Sequence, residues 1–260
     1  MPSTGTASFT VTRDQLIEDS LRMIKVIQET DAANATQIRI ASQALNMLLK
    51  NMQSNGLPLW CYQLITIPMV VGQESYTIGP VGADVTTTRP LRLFDGSFIR
   101  DITSSTPACQ NDTPLRLISR LEYLQYGSKA TQAIPNSIYW QPWIDDAGGT
   151  TSPSTGYGTL FVYTTSSTTQ RTIYANFQRP IYDMTSADDE FDLPSEWFRC
   201  LKYMLAGDLA YDFPNADREL AKEIRDLGRA FQNELQDWST ETAAVTFQPD
   251  QISYRAGWHG

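Results

Sequence analysis

The sequence predicts an α+β chain: a discontinuous helical bundle built from N- and C-terminal helices, an inserted antiparallel β domain, and an extended C-terminal tail. Three observations predict it. Apolar residues recur at helical spacing near both ends; from Trp60 to about Arg179 the spacing becomes alternating; after Trp238 the helical period lapses. The expected divisions are 1–59 for the first half of the helical domain, 60–190 for the β-rich insertion, 191–240 for a helical hairpin completing the bundle, and 241–260 for the arm.

The closing half is the stretch 192–238. Pro194 suits the first turn of a helix, where its missing N–H costs nothing, and Glu196 faces the positive helix start. Trp197, Leu201, Met204, Leu205 and Leu209 recur at helical spacing. Phe213-Pro214 breaks that helix, because proline disfavours helical geometry in the residue before it. Asn215 is the expected N-cap of the next helix. There Leu220, Ile224, Leu227, Phe231, Leu235 and Trp238 lie 4, 3, 4, 4 and 3 apart, one narrow apolar stripe. Gly207, costing about 1 kcal/mol inside a helix, marks close approach of another helix, in the bundle or from a neighbouring subunit. Trp197, Leu201, Gly207, Leu220, Ile224, Leu227, Phe231 and Trp238 are thus the candidate ring- or bundle-packing residues.

Such a hairpin needs a partner, and residues 12–55 supply one. Thr12-Arg13-Asp14-Gln15 fits a capping box, with Val11 and Leu16 as the hydrophobic staple. A helix is expected to run to about Glu29, burying Leu16, Ile17, Leu21, Ile24 and Ile27. Asn34 caps a second, with Ile38, Ala41, Leu45, Leu48 and Met52 at 3-4-3-4 spacing, ending at Asn55-Gly56 with Pro58 beyond.

Between the halves, strands are expected at 63–70, 75–78, 91–99, 113–118, 137–141, 159–163 and 171–178. Pro68 suits an edge strand or a bulge. Val71-Gly72-Gln73-Glu74 reads as a turn, and Ser119 with Glu122 boxes a short helix through Gln125. The segments 145–157 and 166–170 read as Gly/Ser/Thr loops at exposed tips.

A net charge of −9 disfavours a dedicated DNA reader, which carries a basic face, yet suits a surface that DNA slides past. Cys61, Cys109 and Cys200 are far apart without a CxxC pair, so buried or partly buried thiols in a reducing compartment are expected, with neither disulfides nor zinc. No secretory signal or membrane-length apolar run is expected, which places assembly in the cytoplasm. The single histidine, His259, is the penultimate residue, a poor place for the rigid imidazole that Ser-His-Asp and Cys-His catalysis require. No catalytic set, cofactor or metal is expected.

Other groupings have ordinary readings. Asp188-Asp189-Glu190 and Asp192 lack the alternation of a calcium loop and read as a solvated segment feeding a helix start. No carboxylate pair stands out for glycoside hydrolysis, Ser128-Lys129 lacks S-x-x-K spacing, and no Walker loop or GxGxxG is present. Arg89, Arg92, Arg100, Arg116 and Arg120, with Phe94 and Tyr123 near, read as local ion pairs with Asp95, Asp101 and Glu122 rather than as phosphate contacts. Tyr139-Trp140, Trp143 and Tyr157 suit a β core or interface, or alternatively a sugar platform.

Taken in order, several fragments resemble a family. They are the capped helix from Thr12 to Ile27; Asn55-Gly56-Leu57-Pro58-Leu59-Trp60; Gly72-Gln73-Glu74-Ser75-Tyr76-Thr77-Ile78-Gly79; and Pro114-Leu115-Arg116-Leu117-Ile118-Ser119-Arg120. Tyr139-Trp140-Gln141-Pro142, Gln178-Arg179-Pro180, Leu193-Pro194-Ser195-Glu196-Trp197 and Leu205-Ala206-Gly207-Asp208-Leu209-Ala210 follow. Across nearly the whole chain the set resembles head-to-tail adaptors of short-tailed bacteriophages, of the tail tube protein A or tail accessory factor type; the β insertion is longer than in the smallest members. The resemblance implies a structural virion protein of the tail, assembled in the host cytoplasm. It implies a homo-oligomeric ring of twelve copies docked beneath the portal protein. The arm residues Phe247, Ile252, Tyr254 and Trp258 would bind the portal, and the β domain would meet nozzle or tail-fibre proteins. DNA would pass through the lumen without sequence-specific binding, and no membrane is involved. The alternative is a glycan-binding or cell-wall-degrading tail component acting through the β domain.

Overall fold

The computed structural model describes residues 9–55, 59–104, 106–145 and 156–238. It is mixed α and β. In chain order come α1 (Arg13–Met23), α2 (Ala35–Asn55), β1 (Tyr62–Pro68), β2 (Ser75–Gly79), β3 (Val85–Thr86), β4 (Arg92–Leu93), β5 (Phe98–Asp101), β6 (Asn111–Pro114) and β7 (Arg116–Leu117). Then follow α3 (Arg120–Gln125), β8 (Gln132–Ala133), β9 (Ser137–Asp145), β10 (Tyr157–Tyr163), β11 (Thr165–Ser166), β12 (Arg171–Gln178), α4 (Trp197–Asp212) and α5 (Arg218–Trp238).

Local chemistry sets the helix starts. Thr12 Oγ1 accepts from Gln15 N–H, and the Gln15 side chain accepts from Thr12 N–H, closing the capping box. Asn34 and Gln37 form the same reciprocal pair ahead of α2, both bonds 2.9 Å. At α3 only half a box forms. Ser119 Oγ accepts from Glu122 N–H, while the Glu122 carboxylate turns to Arg116 at 2.9 Å.

Three helix boundaries differ from the sequence reading. α1 stops at Met23, not near Glu29, because Lys25 turns into the left-handed region (φ 60°); Ile24 and Ile27 are buried regardless, as turn residues. Pro194-Ser195-Glu196 forms a tight turn, with Trp197 N–H bonded to the Pro194 carbonyl, and the regular helix begins at Trp197. The cap of α5 is Asp217 rather than Asn215: its carboxylate accepts from Leu220 N–H at 3.2 Å, and Lys25 of the α1 exit reaches it at 3.0 Å.

The strands form two five-stranded sheets and a short two-stranded pair. The first runs β1-β12-β5-β6, antiparallel throughout, with β4 also on β12. The second runs β3-β2-β10-β9-β7. It is not purely antiparallel, since β2 pairs with β3 and β7 with β9 in parallel, as β8 does with β11. The expected strand 91–99 is interrupted by the Phe94–Ser97 turn, and 113–118 divides between β6 in one sheet and β7 in the other.

Alternation decides what each strand buries. Ile65 and Ile67 of β1, Ile173, Ala175 and Phe177 of β12, and Ile99 of β5 face Tyr76, Ile78, Ile138, Trp140, Leu160 and Val162 of the second sheet in one cluster. Trp140 meets Phe177 edge-on at 4.8 Å, and Val70 N–H donates to Tyr76 Oη at 2.9 Å. A second cluster holds Leu16, Ile17 and Leu21 of α1, Leu45, Leu48 and Leu49 of α2, and Leu201, Leu205 and Leu209 of α4, with Ile224 of α5. Residues 181–190, placed by the sequence in the β-rich span, run along these helices instead. Met184 is buried there, Asn46 exchanges two 3.0 Å bonds with its backbone, and Ile181 N–H donates to Gln53.

Candidate functional site

The α4–α5 hairpin is the surface the sequence singled out. Trp197, Leu201, Leu205 and Leu209 form one buried row along α4. On α5 the buried row is Ala221, Ile224 and Gly228, with Phe231 and Leu235 partly buried. This is rotated from the expected stripe. Leu227 and Trp238, expected to pack, are 48% and 73% exposed, and Leu220 lies at the margin. Small residues decide the rotation. A Cβ on Gly207 would lie 2.8 Å from Arg225 Cβ, and one on Gly228 3.0 Å from Met204 Cγ, so the two helices meet where side chains are missing. The glycine costs about 1 kcal/mol of helix propensity, whereas overpacking costs about 1–3 kcal/mol, so close approach wins. The row Ala221, Ile224, Gly228, Phe231, Leu235 is also spaced 3-4-3-4 in the sequence, but its smaller side chains make it the weaker apolar signal.

Towards the end of α5 the hairpin opens into a groove of about 300 Å³, lined by Glu196, Arg199, Cys200, Phe231, Leu235 and Trp238 among others. The Arg199 guanidinium sits over the Phe231 ring at 4.2 Å, which packs edge-on to Tyr203. The described chain ends at this mouth. The anchors Phe247, Ile252, Tyr254 and Trp258, and the glycine pair Gly148-Gly149, lie outside the described residues.

A second feature lies where β1 and β12 of the first sheet meet the helical cluster. Trp60 meets Trp197 edge-on at 5.1 Å. Arg179, directly after β12, forks onto Asp192 ahead of α4, with Nη2 to Oδ1 at 2.8 Å, and its N–H donates to the Cys61 carbonyl at 2.9 Å. Lys50 Nζ reaches the Ile181 carbonyl and Asp183. Three motifs distant in sequence, ending in Trp60, Arg179-Pro180 and Trp197, therefore converge. No local spacing in the sequence announces the Arg179–Asp192 pair, whose members lie 13 residues apart.

The other expected residues are settled by geometry. Arg100 pairs with Asp112 through two 2.6 Å bonds, not with Asp101, which faces Arg171 at 3.9 Å. Arg116 does pair with Glu122. The Asp95 backbone carbonyl accepts from Asn176. Trp140 is a core residue, 7% exposed, so it offers no face to a sugar, and the side chain of Trp143 lies outside the described set. Tyr139 stacks on Phe161 and Tyr123 beneath α3.

Cys61 and Cys200 are buried, and burial pushes each thiol up to about 11, while Cys109 is exposed rather than buried. Asp189 is held below the usual carboxylate range by the Ser186 and Thr185 amides, both at 2.6 Å, and Asp217 by Lys25 and then by the Leu220 amide. Among the described residues no three His, Cys, Asp or Glu side chains gather as a metal site, and no helix is long and apolar enough to cross a membrane. Comparison with protein-family models and with curated proteins gave no match for this chain.

Proposed function

We propose that this chain is a head-to-tail adaptor of a short-tailed bacteriophage, a structural virion protein whose ring sits between the portal and the distal tail and continues the DNA channel. On this reading the helical cluster is a split bundle, closed by α4 and α5 and interrupted by an inserted β domain. The arm at 241–260 grips the portal through Phe247, Ile252, Tyr254 and Trp258. Nozzle or fibre proteins meet the β domain, twelve copies close the ring, and the acidic chain lets DNA pass unheld.

The observation that supports it best is the convergence of separated motifs at the junction. Trp60, just ahead of β1, packs on Trp197 within the helical cluster, and Arg179, just after β12, forks onto Asp192 ahead of α4 in a partly buried pair, so the paired strands β1 and β12 are both fixed to the helices. A part that passes force between a head and a tail needs such a tie. Leu227 and Trp238, apolar and left outside the α4–α5 contact, are available for a neighbouring subunit or the portal.

Electron microscopy of the protein mixed with its portal tests the reading. Ring-on-ring particles are expected. Deleting 246–260 is expected to leave a folded monomer that no longer docks, because aromatic anchors in an interface groove contribute about 2 kcal/mol or more each and act together in a ring. Full docking without the arm would remove its assigned role. Absence of any ring-on-ring particle with the full chain would remove the adaptor reading.

A further inference from the structure

The first sheet ends on two strands, β1 and β6, that have a neighbour on one side only among the described residues. Their outward groups can be named. The bonds Arg179 N–H to Cys61 O and Met69 N–H to Arg171 O flank β1, so Gln63, Ile65 and Ile67 turn their amides toward β12. Tyr62, Leu64 and Thr66 turn theirs outward, and Pro68 has none. On β6 the bond from Leu115 N–H to Ser97 O sets the same alternation: Asn111 and Thr113 face β5, while Asp112 and Pro114 face outward.

The β1 edge is unusually bare. From Trp60 to Gln73 the chain has no charged residue, and Leu64, Val70 and Val71 are 54%, 51% and 45% exposed. Edges left open in solution are normally blunted by charge or distortion, and here only Pro68 does so.

We propose that β1 of one copy pairs with β6 of a second copy, head to tail, so that the first sheet continues from subunit to subunit. Three features favour a second copy over another partner. Each successive pair along β1-β12-β5-β6 is antiparallel, so β1 and β6 run in opposite directions and the new pair is antiparallel as well. With Thr66 opposite Asp112, those residues exchange two backbone bonds and Leu64 N–H donates to the Pro114 carbonyl. The same register sets Pro68 opposite Gln110, whose N–H is already bonded to the Pro107 carbonyl, so the missing donor and the engaged donor coincide. Leu64 of the second copy then lies beside Pro114, lengthening the outer-face row of Tyr174, Phe98 and Pro114, in which Phe98 and Tyr174 already stack at 4.9 Å. A contact between two different edges is heterologous and repeats in one direction, closing as a ring or extending as a filament. The inference rests on the adaptor reading only for the closure.

The test uses full-length protein with Cys109→Ser, bearing either Thr66→Cys or Asp112→Cys, and a short bis-thiol cross-linker. Coupling is expected when the two variants are mixed, as dimers, and a ladder when one chain carries both. Thr66→Cys coupling to itself would show two β1 edges pairing with each other and overturn the proposal. So would no coupling both at the highest soluble concentration and in the portal-bound particle. Leu64→Lys is expected to leave the monomer's melting unchanged and to weaken the ladder roughly tenfold or more; an unchanged ladder overturns the proposal. Portal-bound rings without coupling remove the edge pairing and leave the adaptor reading, whereas ladders without portal docking do the reverse.

Discussion

In the helical cluster a glycine faces the root of a side chain on the neighbouring helix; in the β cluster a glycine faces an indole. Gly207 and Gly228 bring α4 and α5 together along a seam where each missing Cβ would meet a flexible side chain, Arg225 or Met204, near its root. Gly158 of β10 makes room for Trp140, whose ring would lie 2.1 Å from an added Cβ. Backbone lies just behind the roots at the helical seam, Arg225 Cα at 3.2 Å from a Cβ on Gly207 and Met204 N at 3.1 Å from one on Gly228, so a methyl group there requires the helices to move apart by a few tenths of an ångström. Movement of the indole is opposed by Phe177, which meets it in a T-shaped contact from the other sheet, and by Tyr76, Leu160 and Ile173 of the same cluster. The overlap is therefore deeper in the β cluster, 2.1 Å at Gly158 against 2.8 Å at Gly207, and the close-packed β cluster has less room to give.

The largest expected effect compares opening in the two regions. Cys200 reports the helical cluster and Cys61 the junction, both buried with thiols pushed up to about 11, while Cys109 is exposed. With a thiol-reactive dye near neutral pH, Cys109 should label on the order of a hundredfold faster or more than the other two. Faster labelling of Cys200 than of Cys61 would sharpen the contrast; labelling of Cys61 at the rate of Cys109 would break it. Next comes Gly158→Ala, expected to destabilise by about 3 kcal/mol, read by urea unfolding. A loss near zero would show the indole to be movable. Gly207→Ala should cost only about 1 kcal/mol, because overpacking of about 1–3 kcal/mol is offset by about 1 kcal/mol of helix propensity. A cost matching that of Gly158→Ala would erase the difference between the regions.

The smallest effect is in acid. Asp189 and Asp217 titrate below the ordinary carboxylate value when folded, so their contribution is present above the unfolded value of about 3.9 and is lost as pH falls through the folded one. Both tie the α1 end of the helical cluster, Asp189 through the 185–186 turn that abuts Arg13 and Asp217 through Lys25. Melting temperature should therefore decline below about pH 4, and Asp189→Asn should make the decline shallower. An acid limb of equal steepness in that variant would exclude Asp189 as its source.

What was legible in advance was local. Thr12 with Gln15 and Ser119 ahead of α3 announce helix starts within three residues of chain, and the alternation of Ile173, Ala175 and Phe177 marks β12 with its buried face. Pro68, from its missing donor alone, suits an edge strand or a bulge, and among the described residues β1 is an edge strand. Errors arose where a local signal had a rival. Asn215 and Asp217 are both good caps, and the choice fell to Asp217, which Lys25 reaches from the α1 exit. Arg100 had Asp101 beside it in sequence, yet neighbours along a strand point to opposite faces, and Asp112 stands across the ladder on the same side.

The sequence by itself determined that helices flank a strand-rich middle and where most elements begin, because capping, alternation and proline act over a few residues. Only the tertiary structure decided which face of α5 is covered, which carboxylate Arg100 and Arg179 take, that Trp140 belongs to the core, and that among the described residues β1 and β6 have a neighbour on one side only. Those outcomes depend on which backbones come near one another, and residues as far apart as Trp60, Arg179 and Trp197 carry no mark of their meeting until the chain has folded.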